Sequence, residues 1–372
     1  MEAHKFSFTG KVFRSMLGMI TWVSCLLGAL SLLAAYINPI ELEIIQLFGL
    51  LFPLFVFSYF IFIVVHLLLR QWLVLLPVVM LILSWTQLTA YVTINSQQTS
   101  VEAFNVLTFN LHVFAGNDTR KDHDEIQKEI AKNIKAQNAD LVCLQEFRSG
   151  IENPVAELEG FVRDCGFTHY YFEGYWKAVV KRKEGLLIMS RSALFNTAVV
   201  KNNPGRVIAI AADVAVGDED TLRIVNTHLV SFSLMKQEID FVSDGSFTDR
   251  EQMKKHGKNL IGKLNTSFAK RAIEVNALSE AISDPTKNYI VCGDFNDTPA
   301  SYTYHKITSA GLNDSFKLAG NGIEGTYAGN LPFLRIDYIF ISDKLQALSA
   351  GTLKLKLSDH FPYRASLLIR SY

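Results

Sequence analysis

The sequence has no surplus of charge, with 36 Lys and Arg against 36 Asp and Glu over 372 residues. Proteins that grip nucleic acid through many phosphate contacts carry a basic excess or stripe, so the balance counts against that class. Cysteine is scarce, and Cys25, Cys143, Cys165 and Cys292 form no CxxC or Cys/His pattern, which excludes the common thiolate metal sites. All four are read as buried free thiols, with a disulfide left open for an oxidising compartment. Charge is scarcest in the first 99 residues, where Glu2, Lys5, Lys11, Arg14, Glu41, Glu43 and Arg70 are the only formal charges. Setting aside those four bases and three acids leaves 32 and 33 in residues 100–372, a nearly neutral remainder.

What fills the charge-poor segment is apolar. Three runs stand out, MLGMITWVSCLLGALSLLAAYI, IIQLFGLLFPLFVFSYFIFIVVHLLL and WLVLLPVVMLILSWTQLTAYVTI. Each has the ~20 residues that cross a bilayer, and each is too evenly apolar for an amphipathic core helix. The expectation is three transmembrane helices, over about 16–37, 44–69 and 72–94, with Pro53 and Pro77 tolerated inside them. His66, near the end of the second run, reads as a packed or interfacial histidine. A cleavable signal has a shorter core and is not followed by two more runs, so retention is expected. Lys5, Lys11, Arg14 and Arg70 mark the cytoplasmic side. Three spans then put everything after residue ~100 outside the cytoplasm. Residues 1–99 are thus read as a multi-pass anchor in the plasma (inner) membrane, and 100–372 as an extracytoplasmic domain.

From residue 103 short β-rich runs alternate with helical stretches, the pattern of an α/β domain. AFNVLTFNL, ADLVCLQEF, GLLIMSR, RVIAIAADVAV, LRIVNTHLV, NYIVCGDFN, RIDYIFIS and the tail of LKLSDHFPYRASLLI read as strands, with helices at about 122–137 and 250–283. Polar residues stand at the ends of otherwise apolar strands: Asn110, Glu146, His228, Asp294 with Asn296, Asp337, and Asp359 with His360. Any one of them fits a turn. All of them together place acids, amides and imidazoles on rigid backbone, as a catalytic site needs.

The motifs TFNL, LQE, NTHL, GDFND, RIDYIF and SDH, in this order over residues 103–370, resemble the endonuclease/exonuclease/phosphatase superfamily. The resemblance implies a deoxyribonuclease-like four-layer α/β sandwich and metal-dependent hydrolysis of a phosphate ester. Glu146 with the Asn110 amide oxygen would make an incomplete oxygen site that suits Mg²⁺, or Mn²⁺. Asp294 would orient or deprotonate the attacking water, Asn296 would hold a non-bridging oxygen, and His360 would contact the phosphoryl group with Asp337 fixing its tautomer. His228 would donate to the phosphate or leaving oxygen, and Asp359 would sit near the metal or leaving group.

The pattern departs from some family nucleases, which carry an acid two positions after the first Asn where this chain has His112. No phosphate-side tyrosine is assigned, although Tyr170, Tyr171 and Tyr175 are near in sequence. Arg191 and Arg335 suit an anionic substrate or a structural ion pair equally well. The resemblance extends to a membrane-linked branch that includes neutral sphingomyelinases and glycolipid-anchor remodelling proteins. A tether ending at Glu102 keeps the domain close to lipid head groups, so a lipid or head-group phosphate is the leading substrate. DNA or RNA is the alternative, and a non-catalytic receptor or scaffold is a third reading that the complete motif set opposes. The stretch VSFSLMKQEIDFVSDGSFTDREQ reads as an insertion, either a lid or a cover for the core.

Overall fold

The computed structural model describes the chain except for residues 1–7, 116–122, 150–153, 178–181, 203–204, 217–219, 233–249, 330, 332–333 and 370–372. Most of the insertion after NTHL lies outside the described residues.

The apolar runs fold as helices, with a correction to the expected three spans. Among the described residues one helix, Phe8–Leu33, is long and apolar enough to cross a membrane over Gly10–Leu33. The second run splits at Leu51 into Ile45–Leu50 and Phe52–Leu68. Pro53 sits at the start of the later piece, where its missing N–H costs least. Seventeen residues rise only ~26 Å, short of a hydrocarbon core of ~30 Å. The third run is a 3-10 turn, Trp72–Val74, followed by Leu75–Leu83 and Trp85–Leu88. Its break falls at Ser84, whose hydroxyl donates to the Met80 carbonyl at 2.7 Å and so competes with the helical ladder. Its last expected residues are not helical, because Val92–Ile94 is a strand paired with Asn321–Ile323.

These helices pack on one another through small contacts. Tyr59 lies against Gly28, where a Cβ would collide with its ring, and is buried beside Cys25 and Met80. His66 is fully buried, with Nε2 2.9 Å from Thr21 Oγ1 and Nδ1 2.6 Å from Gln71 Oε1, a packed histidine as expected. Their outer surface carries Trp22, Leu26, Leu54, Phe57, Leu67 and Leu75, all exposed.

From Phe104 onward two six-stranded sheets face each other. One runs in the order Leu345–Thr352, Tyr363–Ile369, Phe104–Asn110, Leu141–Arg148, Arg182–Ser190, His169–Lys177. The other runs Asn313–Asp314, Asp337–Ile341, Asn288–Asp294, Asp220–His228, Val207–Val216, Leu194–Lys201. Side chains alternate along each strand with period two. Leu141 and Cys143 enter the inter-sheet core with Ile290, Cys292 and Ile339. Val142 and Leu144 face the helices His123–Ala136 and Pro154–Asp164, whereas Val291 and Phe340 face Arg250–Ala281 and Tyr302–Ser309. The result is the helix, sheet, sheet, helix layering that the motifs implied.

Each sheet contains one parallel pair. Phe104–Asn110 runs beside Leu141–Arg148, and Asp220–His228 runs beside Asn288–Asp294. A parallel pair needs a crossover, which His123–Ala136 and Arg250–Ala281 supply. Ligands in such sheets meet the carboxyl ends of the strands, and those ends are Asn110, Glu146, His228 and Asp294.

Candidate active site

Local backbone turns the four strand ends toward one another. Register between Leu141–Arg148 and Arg182–Ser190 shifts after Leu144, where Glu146 adopts a left-handed conformation with φ 51°. Non-glycine residues rarely hold such angles unless their surroundings fix them, and this one swings the carboxylate out of the strand. Asn296 has φ 53°, and the loop after Asn110 holds three in succession at His112, Val113 and Phe114. For the β-branched Val113 that is a real outlier. Gly293, at φ 137°, has no such freedom to lose, because a Cβ there would lie 2.0 Å from the Thr227 carbonyl oxygen.

Asp294 is buried at the centre. Its Oδ2 accepts from Asn110 Nδ2 at 2.9 Å, and its Oδ1 accepts the Asn296 backbone N–H at 2.8 Å. His360 Nε2 lies 3.7 Å away and His228 Nε2 3.8 Å. On its far side His360 Nδ1 sits 2.9 Å from Asp337 Oδ2, and Asp337 is the register partner of Asp294 across the sheet. Asp337, His360 and Asp294 therefore form a line of carboxylate, imidazole, carboxylate. Glu146 lies beside it, 3.5 Å from His228 Nε2 and 3.4 Å from Asn110 Nδ2. Asp359 and His112 close the rim, Nδ1 to Oδ1 at 3.2 Å.

Titration follows from this crowding. Burial raises the Asp294 carboxyl to about 6, the Asp337 charge adds to the rise, and His360 and His228 hold it back. Burial works against a charged His360, yet the carboxylates of Asp337 and Asp294 outweigh it and raise the imidazole to about 10. For Glu146 burial again pushes upward, but His228, His112 and the Asn110 amide together bring the carboxyl below its ordinary value.

The site thus brings together every residue the motifs singled out, with one difference in how they point. Asn110 Oδ1 accepts the His112 N–H at 2.9 Å, and its nitrogen faces the two carboxylates. Flipping the amide would set its nitrogen against that N–H and its oxygen against the acids. In this orientation Asn110 is a donor to acids, and its oxygen is not offered beside Glu146 as expected. Arg335 is remote from the cluster: it is fully buried, with Nη1 and Nη2 both 2.6 Å from Asp314. Arg191 binds Asn138, the Ala139 carbonyl and Asp140. Both arginines are structural. Tyr170 donates to Glu159 Oε1 at 3.5 Å and packs against the helix-side core.

Several supporting residues had no signal in the sequence. Beneath the site Gln145 Nε2 donates to Asn226 Oδ1 at 2.7 Å, and Asn226 donates to the Leu144 and Leu187 carbonyls, tying one sheet to the other. Thr326 Oγ1 accepts the Asp337 N–H at 3.0 Å, and Tyr327 sets its ring edge to His360, centroids 5.6 Å apart. On the long helix Arg271 and Glu274 hold Val230 by its carbonyl and its N–H, while Arg271 also pairs with Asp297 at 3.0 Å. Their spacing of three places both on one helix face, the single hint available beforehand.

A family model described as Endonuclease/Exonuclease/phosphatase family matches residues 107–360. The chain belongs to this family. Two solved structures share the fold. An endonuclease/exonuclease/phosphatase from Beutenbergia cavernae has TM-score 0.54 and 17% identity, covering 72% of this chain and 72% of that one. The human Nocturnin catalytic domain, with a bound sulfate anion, has TM-score 0.52 and 19% identity over 73% and 96%. Residues 14–91 match a second model, a domain of unknown function (DUF8431). No curated protein matches the chain.

Two places in this endonuclease/exonuclease/phosphatase site could hold a cation. Asp294, Asp337 and His360 offer ligand atoms within 4.8 Å of one another, but those atoms already satisfy each other and Asn110. Glu146 is different, since its two polar neighbours stand at 3.4 and 3.5 Å, and the buried His228 Nε2 makes no hydrogen bond among the described residues. The four acids pair only with imidazoles among the described residues, with no Lys or Arg. Uncompensated hard oxygens of this kind fit a divalent cation.

Proposed function

We propose that the protein is a membrane-anchored, Mg²⁺-dependent phosphoesterase acting on a lipid or head-group phosphate, with Mn²⁺ as a second competent ion. The observation that carries the chemistry is the line Asp337, His360, Asp294 beside an under-coordinated Glu146. Asp294, with a carboxyl near 6, is ionised at neutral pH and takes the proton of an attacking water. His360, charged up to about pH 10, holds the phosphoryl oxygens as an imidazolium, and Asp337 on its Nδ1 fixes which nitrogen faces the substrate. Asn296 has one amide N–H free of the Leu229 carbonyl for a non-bridging oxygen. His228 protonates the leaving oxygen, and Asp359 orients His112 at the rim. Mg²⁺ held by Glu146 would supply charge neutralisation for the phosphate.

Anchoring is supported by the Phe8–Leu33 helix and by the exposed apolar side chains across residues 12–85. A surface of that kind is rare on a water-facing monomer. Helices Phe52–Leu68 and Leu75–Leu83, too short to cross, pack against that helix, and Lys5, Lys11 and Arg14 ahead of its apolar stretch favour the outer face for the site. Lipid is favoured over nucleic acid by that anchor and by the neutral charge balance.

The test is purified full-length protein in nanodiscs with Mg²⁺, assayed against phospholipids, sphingolipids, inositol phosphates and DNA, with Asp294→Ala and His360→Ala as controls. Hydrolysis of DNA alone would overturn the lipid assignment, and full activity in Asp294→Ala would overturn the site.

A further inference from the structure

The loop that leaves the active site ends on the N-terminal helices. Residues from Asp294 to Ser301 are buried without interruption, and Ala300 packs in one cluster with Phe52, Val56 and Tyr91. Helix Ile45–Leu50 meets this turn with one face. Gly49 lies so close that a Cβ there would stand 2.7 Å from the Ala300 carbonyl oxygen and 3.0 Å from Ala34 Cβ. Gln46, buried, accepts the Tyr302 N–H at 3.3 Å while donating to the Ala34 carbonyl at 2.7 Å. Tyr36 and His305 stack edge to face, centroids 4.4 Å apart.

A second path reaches the other carboxylate. The Tyr91 carbonyl accepts the Glu324 N–H at 3.0 Å, Val92–Ile94 pairs with Asn321–Ile323, and Thr326, just past that strand, accepts the Asp337 N–H. Arg335, two residues before Asp337, donates to the Ala90 carbonyl at 2.9 Å. Both acids that flank His360 are thus backed, within a few residues, by the helical segment.

We propose that Gln46 and Gly49 are positioning residues for hydrolysis: the N-terminal helices set the Asp294 loop and form the back wall of the active site as well as anchoring it. The inference rests on the phosphoesterase reading, and it adds that bundle and site are one mechanical unit. A shift of an ångström in a reacting group costs about a hundredfold, so a small displacement of the Ala300 turn is enough to register.

The experiment uses full-length protein in nanodiscs, Mg²⁺ and bis(4-nitrophenyl) phosphate, with amide exchange of peptide 295–302 read in parallel. Gly49→Ala, Gly49→Val and Gln46→Leu are compared with Met80→Ala, a buried bundle residue that does not touch the loop. Expected are a kcat loss of about tenfold or more that deepens from Ala to Val at position 49, KM within about twofold, and faster exchange of the peptide, with kcat of Met80→Ala unchanged. Should Gly49→Val fail to fold, Gln46→Leu, which adds no bulk, carries the same expectation. An active wild type with kcat of Gly49→Ala and Gln46→Leu within twofold of it overturns the proposal. So does Met80→Ala losing as much kcat as they do. A wild type inert toward the diester counts against the phosphoesterase reading, and exchange then decides this one: unaltered exchange of 295–302 in the variants overturns it.

Discussion

The helical segment and the two-sheet domain differ most in what they expose. In the first, hydroxyls and an imidazole turn inward, Ser24 to Ser58 at 2.7 Å and Thr21 to His66 at 2.9 Å, while Trp22, Phe57 and Leu67 face out. In the second, Val106, Leu144, Ile290 and Ile339 are inside and the charged side chains are outside, except at the catalytic cluster and a few ion pairs. One chain follows one rule, that polar groups seek partners and apolar groups seek each other, and leaves two different surfaces. The candidate site is where the second region departs from its own pattern, gathering Asp294, Asp337 and His360 in its interior. Such departures mark function more often than error.

The largest effect should come from removing that departure. Asp294→Asn keeps the shape but removes the base and leaves a single acceptor oxygen for the Asn110 and Asn296 donors, and kcat should fall by about 10²–10⁴; steady-state kinetics, with calorimetry on the same sample to confirm folding, check it. Next comes the joint between the regions. Arg335→Leu strands Asp314 as a buried charge and removes the donor to the Ala90 carbonyl, at a cost of about 3–5 kcal/mol, read as an earlier denaturant midpoint. Activity should then track pH with a lower limb at or below about pH 6, where Asp294 gains its proton, and an upper limb near 10. Cation binding beside Asp294 moves the lower limb further down, never up. In stability, His360 has a folded value above its unfolded one of about 6.5. Its contribution is therefore complete below that pH and is lost as pH climbs through about 10. Smallest is Ser24→Ala, which breaks a hydroxyl pair between helices and should cost about 0.6 kcal/mol in nanodisc unfolding.

Much of this was legible because strand alternation is a strong signal. TFNL, LQE, NTHL and GDFN sit at the ends of apolar runs, and the strands end there, at Asn110, just past Glu146, at His228 and at Asp294. Besides the short Val92–Ile94, Asn313–Asp314 and Asn321–Ile323, three longer strands escaped notice, His169–Lys177, Leu194–Lys201 and Leu345–Thr352. All three lie at sheet edges, where a half-covered strand has no need of a clean pattern. The role of Arg335 was undecidable because its partner Asp314 stands 21 positions away, and charge type alone does not reveal burial. The orientation of Asn110 depends on the turn at His112, which no residue preference announces. The broken helices escaped because mean apolarity measures affinity for lipid and not continuity of the backbone. Pro53 and Ser84 carry that information, and both are ordinary residues inside longer spans.

The hydroxyl of Ser358 that grips the Asn110 carbonyl reaches back across 248 positions. During translation at about 5–20 residues per second, tens of seconds separate the first side chain of the candidate site from the last. The helical segment leaves the ribosome before either of them. The cluster is therefore completed only when synthesis is almost over, long after the helical segment has been made.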